Sequence, residues 1–253
     1  MWRTSGLTGL AVAVLLVTAA CSETEPRSAR PPQPLPTDFL NGGACEPLGL
    51  DRLPSDAGCA SEIEGDADGD GSIDTLTVYA LVGDDERPRS WHMRLATSAG
   101  VHDQILDAGN PFSYPRAVGA ADVNGDGRSE WFVKTLDLAS HGTAWKQLNL
   151  FVLVETDLEI VTHEGEPLAM RVGGISRLGE GIACPGGHLA LLRAEARNVR
   201  NTRWVSSARI FTLEGTETTF VERTSQTLHL DDYNDPALNR FYQLHCRQLS
   251  HSA

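Results

Sequence analysis

Two short segments place oxygen-bearing side chains at matched spacing. Asp66-Ala67-Asp68-Gly69-Asp70-Gly71-Ser72-Ile73-Asp74 is followed, fifty-six residues on, by Asp122-Val123-Asn124-Gly125-Asp126-Gly127-Arg128-Ser129-Glu130. Counted from the first Asp, both carry oxygen donors at positions 1, 3, 5 and 9 and Gly at position 6. Calcium is a hard cation that takes six to eight oxygen ligands. On a tightly curled loop, alternate positions direct their carboxylates at one centre. Gly71 and Gly127 permit the sharp turn, which a Cβ would obstruct. Position 7, Ser72 or Arg128, would donate its backbone carbonyl, so its side chain is free to vary. The expectation is two structural Ca2+ sites, one formed by Asp66, Asp68, Asp70, Ser72 and Asp74, the other by Asp122, Asn124, Asp126, Arg128 and Glu130. A single such loop reads equally well as a polar turn. Two with the same internal layout argue for a cation, because clustered carboxylates repel one another without one.

An EF-hand needs a bidentate Glu at position 12 and flanking helices. Position 12 is Thr77 in the first segment and Val133 in the second. Thr75 to Val82 and Trp131 to Leu138 are rich in β-branched and aromatic residues in alternation, which predicts strands. Each site is therefore expected to be a nine-residue loop leading directly into a strand. With these strands, and with the small-apolar lead-in Val118-Gly-Ala-Ala-Asp122, the segments resemble the calcium loops of FG-GAP/VCBS-type repeats over roughly residues 60–170. Such repeats build β-propeller blades in integrin α-subunits and many bacterial surface proteins. The resemblance implies Asp66, Asp68, Asp70 and Asp74, then Asp122, Asn124, Asp126 and Glu130, as side-chain ligands. The chain departs from the family in lacking a literal Phe-Gly…Gly-Ala-Pro signature and in carrying Glu130 where Asp is more usual.

A third unit at the same spacing would begin near 178, where Leu178 to Gly187 has lost the carboxylates and gained Cys184. Asp231 to Asp235 reads as a turn, since Pro236 follows where Gly would be needed. Further strands are expected at Ser90–Ala96, Val101–Leu106, Gln147–Val154, Leu158–Thr162, Leu168–Val172, His188–Arg193, Trp204–Leu213, Thr218–Val221 and Gln226–Leu230. About four short strands per unit is the content of a propeller blade. The expected fold class is all-β: a small or incomplete propeller-like array of about 56-residue four-stranded repeats, or a sandwich-like relative. Pro236 to Tyr242 is the one stretch expected to make a turn or two of helix.

Upstream, Arg3, an apolar stretch over Leu7 to Val17 and the small residues Ala19-Ala20 before Cys21 describe a secretory signal over 1–20. Cys directly after the small residues resembles the bacterial lipobox, which implies acylation of Cys21. The Pro-rich, mostly polar segment 21–44 suits a semi-rigid tether, leaving 45–253 as the folded domain. Removing Cys21 leaves Cys45, Cys59, Cys184 and Cys246, an even number that in an exported chain suggests two disulfides. Four cysteines permit three connectivities. The pairing expected is Cys45–Cys59, closing a local loop, with Cys184–Cys246, pinning the C-terminal strand to the core. Zinc is disfavoured, because no close Cys pair and no zinc-type Cys–His spacing occurs.

The net charge is −13, which disfavours nucleic acid and anionic membrane surfaces as partners. The sequence offers no Gly-x-Ser-x-Gly, no His-Glu-x-x-His and no phosphate loop. His188 and His245 would approach one another through the expected Cys184–Cys246 bond. Trp131 and Trp204 are expected in the core, with Trp145, after Ser140–Ala144, the most exposed of the tryptophans. The function expected is a non-enzymatic, calcium-stabilised binding or scaffold module, held to the outer face of the cell membrane by its lipid, with an extracellular protein or glycan as ligand. The alternative is an exported calcium-dependent hydrolase of glycans or phosphoesters using one acidic loop catalytically.

Overall fold

A computed structural model of the chain describes Cys45 and residues 52–107, 113–140, 143–198, 200–230 and 235–246. The signal segment, Cys21, the tether and most of the Asp231–Asp235 turn lie outside these residues. The described chain is all-β, built almost wholly from antiparallel pairs and without a closed barrel. Its strands are β1 Ala57–Gly65, β2 Asp74–Val82, β3 Pro88–Thr97, β4 Gly100–Leu106, β5 Arg116–Ala121, β6 Glu130–Ser140, β7 Thr143–Val154, β8 Asp157–Ile160, β9 Thr162–His163, β10 Glu166–Pro167, β11 Met170–Ile175, β12 Leu178–Ala183, β13 Leu189–Ala196, β14 Arg203–Glu214, β15 Glu217–His229 and β16 Leu244–His245. A 3-10 helix, Pro236–Phe241, is capped by Asp235, whose carboxylate accepts the Ala237 N–H at 2.8 Å.

Three stretches of chain each form a four-stranded antiparallel meander: β1–β4, β5–β8 and β12–β15. The first stands as a separate sheet, whereas the second and third are joined into one sheet of twelve strands because β11 pairs with both β7 and β12. Strand β7 is long enough to hold β11 against its first half and β8 against its second. The segment after β8 then links β7 to the β14–β15 turn: the Val161 N–H donates to the Leu150 carbonyl at 2.8 Å and the Thr162 N–H to that of Thr216 at 2.7 Å. One edge strand of the first sheet, β4, meets β8 of the second through the Gln104 side chain. The Gln104 amide donates to the Leu158 carbonyl at 2.7 Å and accepts the Leu158 N–H at 3.1 Å, imitating a strand pair.

Alternation along β2 and β3 sends Leu76, Val78, Ala80, Trp91, Met93 and Leu95 into a core shared with Trp131, Val133, Phe151 and Leu158. A second core gathers Phe132, Leu148, Leu150, Met170, Ile182, Leu189 and Phe211, and a third packs Trp204 against Leu238 and Phe241 of the 3-10 helix. Trp131 and Trp204 are fully buried, as expected. Trp145 lies within β7 and is half-buried.

Several expectations are corrected in detail. Residues 178–183 form strand β12 and not a loop; the third connecting turn begins six residues later, at Cys184. The strands expected at Thr218–Val221 and Gln226–Leu230 are one strand, because the polar run between them stays in the ladder with β14. Leu158–Thr162 divides at Val161: its N–H still reaches Leu150 of β7, whereas Thr162 turns to pair with β15. The disulfides are Cys45–Cys59 and Cys184–Cys246, as expected. Sequence separations of 14 and 62 give the second bond more unfolded-chain entropy to remove. Replacing Cys184 and Cys246 together by Ala should therefore cost about 4 kcal/mol against about 3 kcal/mol for Cys45 and Cys59. Guanidinium melts of the two double variants test this, and a larger loss from the short loop would contradict it.

Candidate metal centre

Both acidic segments are hairpin connections. Gly65 faces Asp74 across the first, and Ala121 faces Glu130 across the second. Position 9 is thus the first residue of the outgoing strand, β2 or β6, and its side chain turns back beneath the loop. This placement buries it: Asp74 is 0 % exposed and Glu130 3 %.

The two loops share one hydrogen-bond pattern. The Asp66 carboxylate accepts the N–H groups of Gly69 at 2.7 Å and Gly71 at 3.0 Å. That of Asp122 accepts Gly125 at 2.6 Å and Gly127 at 3.0 Å. Position 9 reaches back to the N–H of position 2, Asp74 to Ala67 at 2.7 Å and Glu130 to Val123 at 2.6 Å. Position 5 accepts the N–H of position 7, Asp70 from Ser72 at 2.6 Å and Asp126 from Arg128 at 2.8 Å. Position 3, Asp68 or Asn124, accepts the N–H of position 5 at 3.1 Å in each loop. Glycines at positions 4 and 6 all have positive φ: 77° and 83° in the first loop, 81° and 90° in the second. L-residues rarely adopt this region, so these positions need Gly. Position 4 was missed by the sequence reading, although the repetition of Gly69 at Gly125 is its signal.

In the first loop Asp66, Asp68 and Asp74 each place a carboxylate oxygen within 4.8 Å of the others, an arrangement able to hold a metal ion. One oxygen of Asp74 accepts the Ala67 N–H, while the other, Oδ1, is buried without a hydrogen-bond partner. A buried carboxylate oxygen with no donor is costly unless a charge meets it. Asp70 is turned aside: its oxygens take the Ser98 hydroxyl at 2.5 Å and the Ser72 N–H, and these bonds, that of Ser98 foremost, hold it below the usual carboxylate range. Among the described residues, no cluster of three carboxylates of this kind forms in the second loop. Its position 3 is Asn124, whose amide donates to Asp126 at 3.0 Å.

The electrostatics point the same way. Burial, joined by the charges of Asp68, Asp66 and Asp70, raises Asp74 against the opposing Ala67 N–H. Burial, with smaller contributions from Asp126 and Asp122, pushes Glu130 up to about 8, although the Val123 N–H opposes it. A metal ion would supply the positive charge that keeps both ionised.

The loops also touch. The Ser129 N–H donates to the Asp66 carbonyl at 2.5 Å and the Asp66 N–H to the Ser129 hydroxyl at 3.1 Å. Across the second loop lies the turn after β12: a Cβ on Gly187 would stand 3.0 Å from the Asn124 carbonyl oxygen. In this third hairpin Ala183 faces Ala190, and Cys184 occupies the place that Asp66 and Asp122 hold in the others. No described hydrogen bond or ring contact joins His188 to His245. No family model and no curated protein matches the chain.

Glu130 also sets a pH dependence. Its folded value of about 8 lies above the ordinary 4.5, so its contribution to stability is complete below about pH 4.5 and is lost as pH rises through about 8. In EDTA the melting temperature should fall by several degrees between about pH 5 and pH 8.5. Glu130→Gln should flatten that fall; an unchanged slope in the variant would contradict the assignment.

Proposed function

We propose that the protein is a calcium-stabilised binding or scaffold module, carried outside the cell membrane on a lipid at Cys21, with a protein or glycan as its ligand. The observation that carries the reading is the convergence of Asp66, Asp68 and Asp74 around the partnerless oxygen of Asp74. Oxygen donors alone suit a hard cation, and calcium tolerates the irregular geometry of such a loop better than magnesium does. The ligands lie at hairpin turns, so an ion there holds the ends of neighbouring strands together. Two disulfides fit an oxidising compartment, and the signal-like start followed by Cys21 supports export and anchoring. The three four-stranded meanders, each with its connecting turn between first and second strand, support the reading as a short propeller-like array related to FG-GAP/VCBS repeats.

The two loops differ in charge. The first carries four Asp; the second substitutes Asn124 for one acid. Ligand charge tunes calcium affinity, so the first site should bind more tightly. Calorimetric titration of the metal-stripped protein should show two uptake events, the tighter lost in Asp66→Asn and the weaker in Asp122→Asn. At a calcium concentration a hundredfold above Kd, stability should rise by about 2.7 kcal/mol per site. No heat at millimolar calcium, with identical melting in calcium and EDTA, would remove the ions from the function.

A further inference from the structure

The first sheet has a second face, turned away from the main core, and it gathers a polar constellation that the acidic loops do not use. Ser90 and His92 alternate on β3, so both project there, and the Ser90 hydroxyl lies 2.9 Å from His92 Nε2. On the next strand, an Asp103 carboxylate oxygen lies 3.7 Å from His92 Nδ1. Asp103 is itself fixed, by the Tyr79 hydroxyl at 2.9 and 3.1 Å and by the Arg94 guanidinium at 3.0 Å. The Tyr79 ring stacks on the imidazole, with centroids 5.3 Å apart and planes 20° from parallel. We propose that Ser90 is a nucleophile with His92 as its general base and Asp103 as the positioning residue, and that it accepts acyl groups from activated esters or thioesters.

Nucleophile, base and orienting acid form a chain recognised by geometry and roles, not by sequence order. Asp103 beside Nδ1 favours the tautomer with its proton there, which leaves Nε2 to accept the serine proton. A 3.7 Å separation exceeds that of a formed hydrogen bond, and such contacts are often long in unliganded sites. Rotation of the ring is restricted by Tyr79 on one side and Ser90 at its tip. The site is open to small molecules, as the His92 and Asp103 side chains keep 16 % and 32 % of their surface exposed. Val101 and Ile105, flanking Asp103 on β4, are 53 % and 72 % exposed and offer apolar surface to an acyl chain.

In the step proposed, the Ser90 hydroxyl passes its proton to His92 Nε2 while its oxygen bonds to the carbonyl carbon. The carbon–oxygen or carbon–sulfur bond to the leaving group then breaks, and His92 returns the proton to the departing alkoxide or thiolate. Water, deprotonated by the same imidazole, releases the acid and regenerates the hydroxyl. Ser90 pairs with Leu81 in the β2–β3 ladder, on a strand and not on a strained turn, so activated acyl donors are its substrates and amides are not.

The test uses the whole protein and a fluorophosphonate probe, read by intact mass and by peptide mapping. One equivalent should attach at Ser90, and none in Ser90→Ala. His92→Gln should slow labelling about 100-fold. In Asp103→Asn the pH at which labelling reaches half its maximum should move lower, because the imidazole loses its anionic neighbour. Ser90→Cys provides a route independent of these variants' folding: its reaction with iodoacetamide should have a midpoint well below about pH 8.5, the ordinary thiol value. No label at Ser90, a folded His92→Gln labelled at the wild-type rate, an unmoved midpoint in Asp103→Asn, or a thiol with an ordinary midpoint would each overturn the proposal.

Discussion

The structure depends on carboxylates that end hairpin turns by turning inward. A side chain at position 9 that pointed to solvent would leave the N–H of position 2 without its acceptor and the loop without a floor. Asp74 and Glu130 instead lie beneath the loops they close, each holding that N–H. This arrangement concentrates negative charge where water is excluded, and it is stable only when protons or a cation balance the charge. The hairpin geometry itself thus creates the charge that a proton or a cation has to balance.

From that constraint the neighbouring elements take their positions. Backbone and hydroxyl bonds between Asp66 and Ser129 fasten the first loop to the second, and Gly187 brings the third turn against the carbonyl of Asn124. Three hairpin ends therefore lie in a row, each opening a four-stranded meander. In the third, a covalent bond stands where the first two have carboxylates: Cys184 is tied to Cys246, beside which β16 pairs in parallel with β12. A disulfide constrains the unfolded chain, so this end of the row is held covalently.

The polar face of the first sheet follows a different logic. There Asp103 is satisfied by Arg94 and Tyr79 without any metal, and its partners come from the two strands β2 and β3 beside its own. Cross-strand neighbours on one face lie close enough for such pairing, which lets a meander assemble a chain of donors and acceptors from residues that are individually unremarkable in sequence.

Local spacing made the loops legible. Their oxygen donors all fall within nine residues, so position in the chain already fixes position in space, and Asp66, Asp68 and Asp74 meet as that spacing required. The strand character after each loop was readable from alternation, whereas the four cysteines besides Cys21 suggested two disulfides without choosing among three pairings. The sequence could not place the third turn, because its marker had changed from acid to cysteine and the interval had lengthened from 56 residues to 62. Nor could it show that β11 fuses two meanders, that Asp70 turns toward Ser98, or that Ser90, His92 and Asp103 adjoin. Those facts rest on strand register. Register is set by the packing of whole faces against a common core, and that is decided only when the chain has folded.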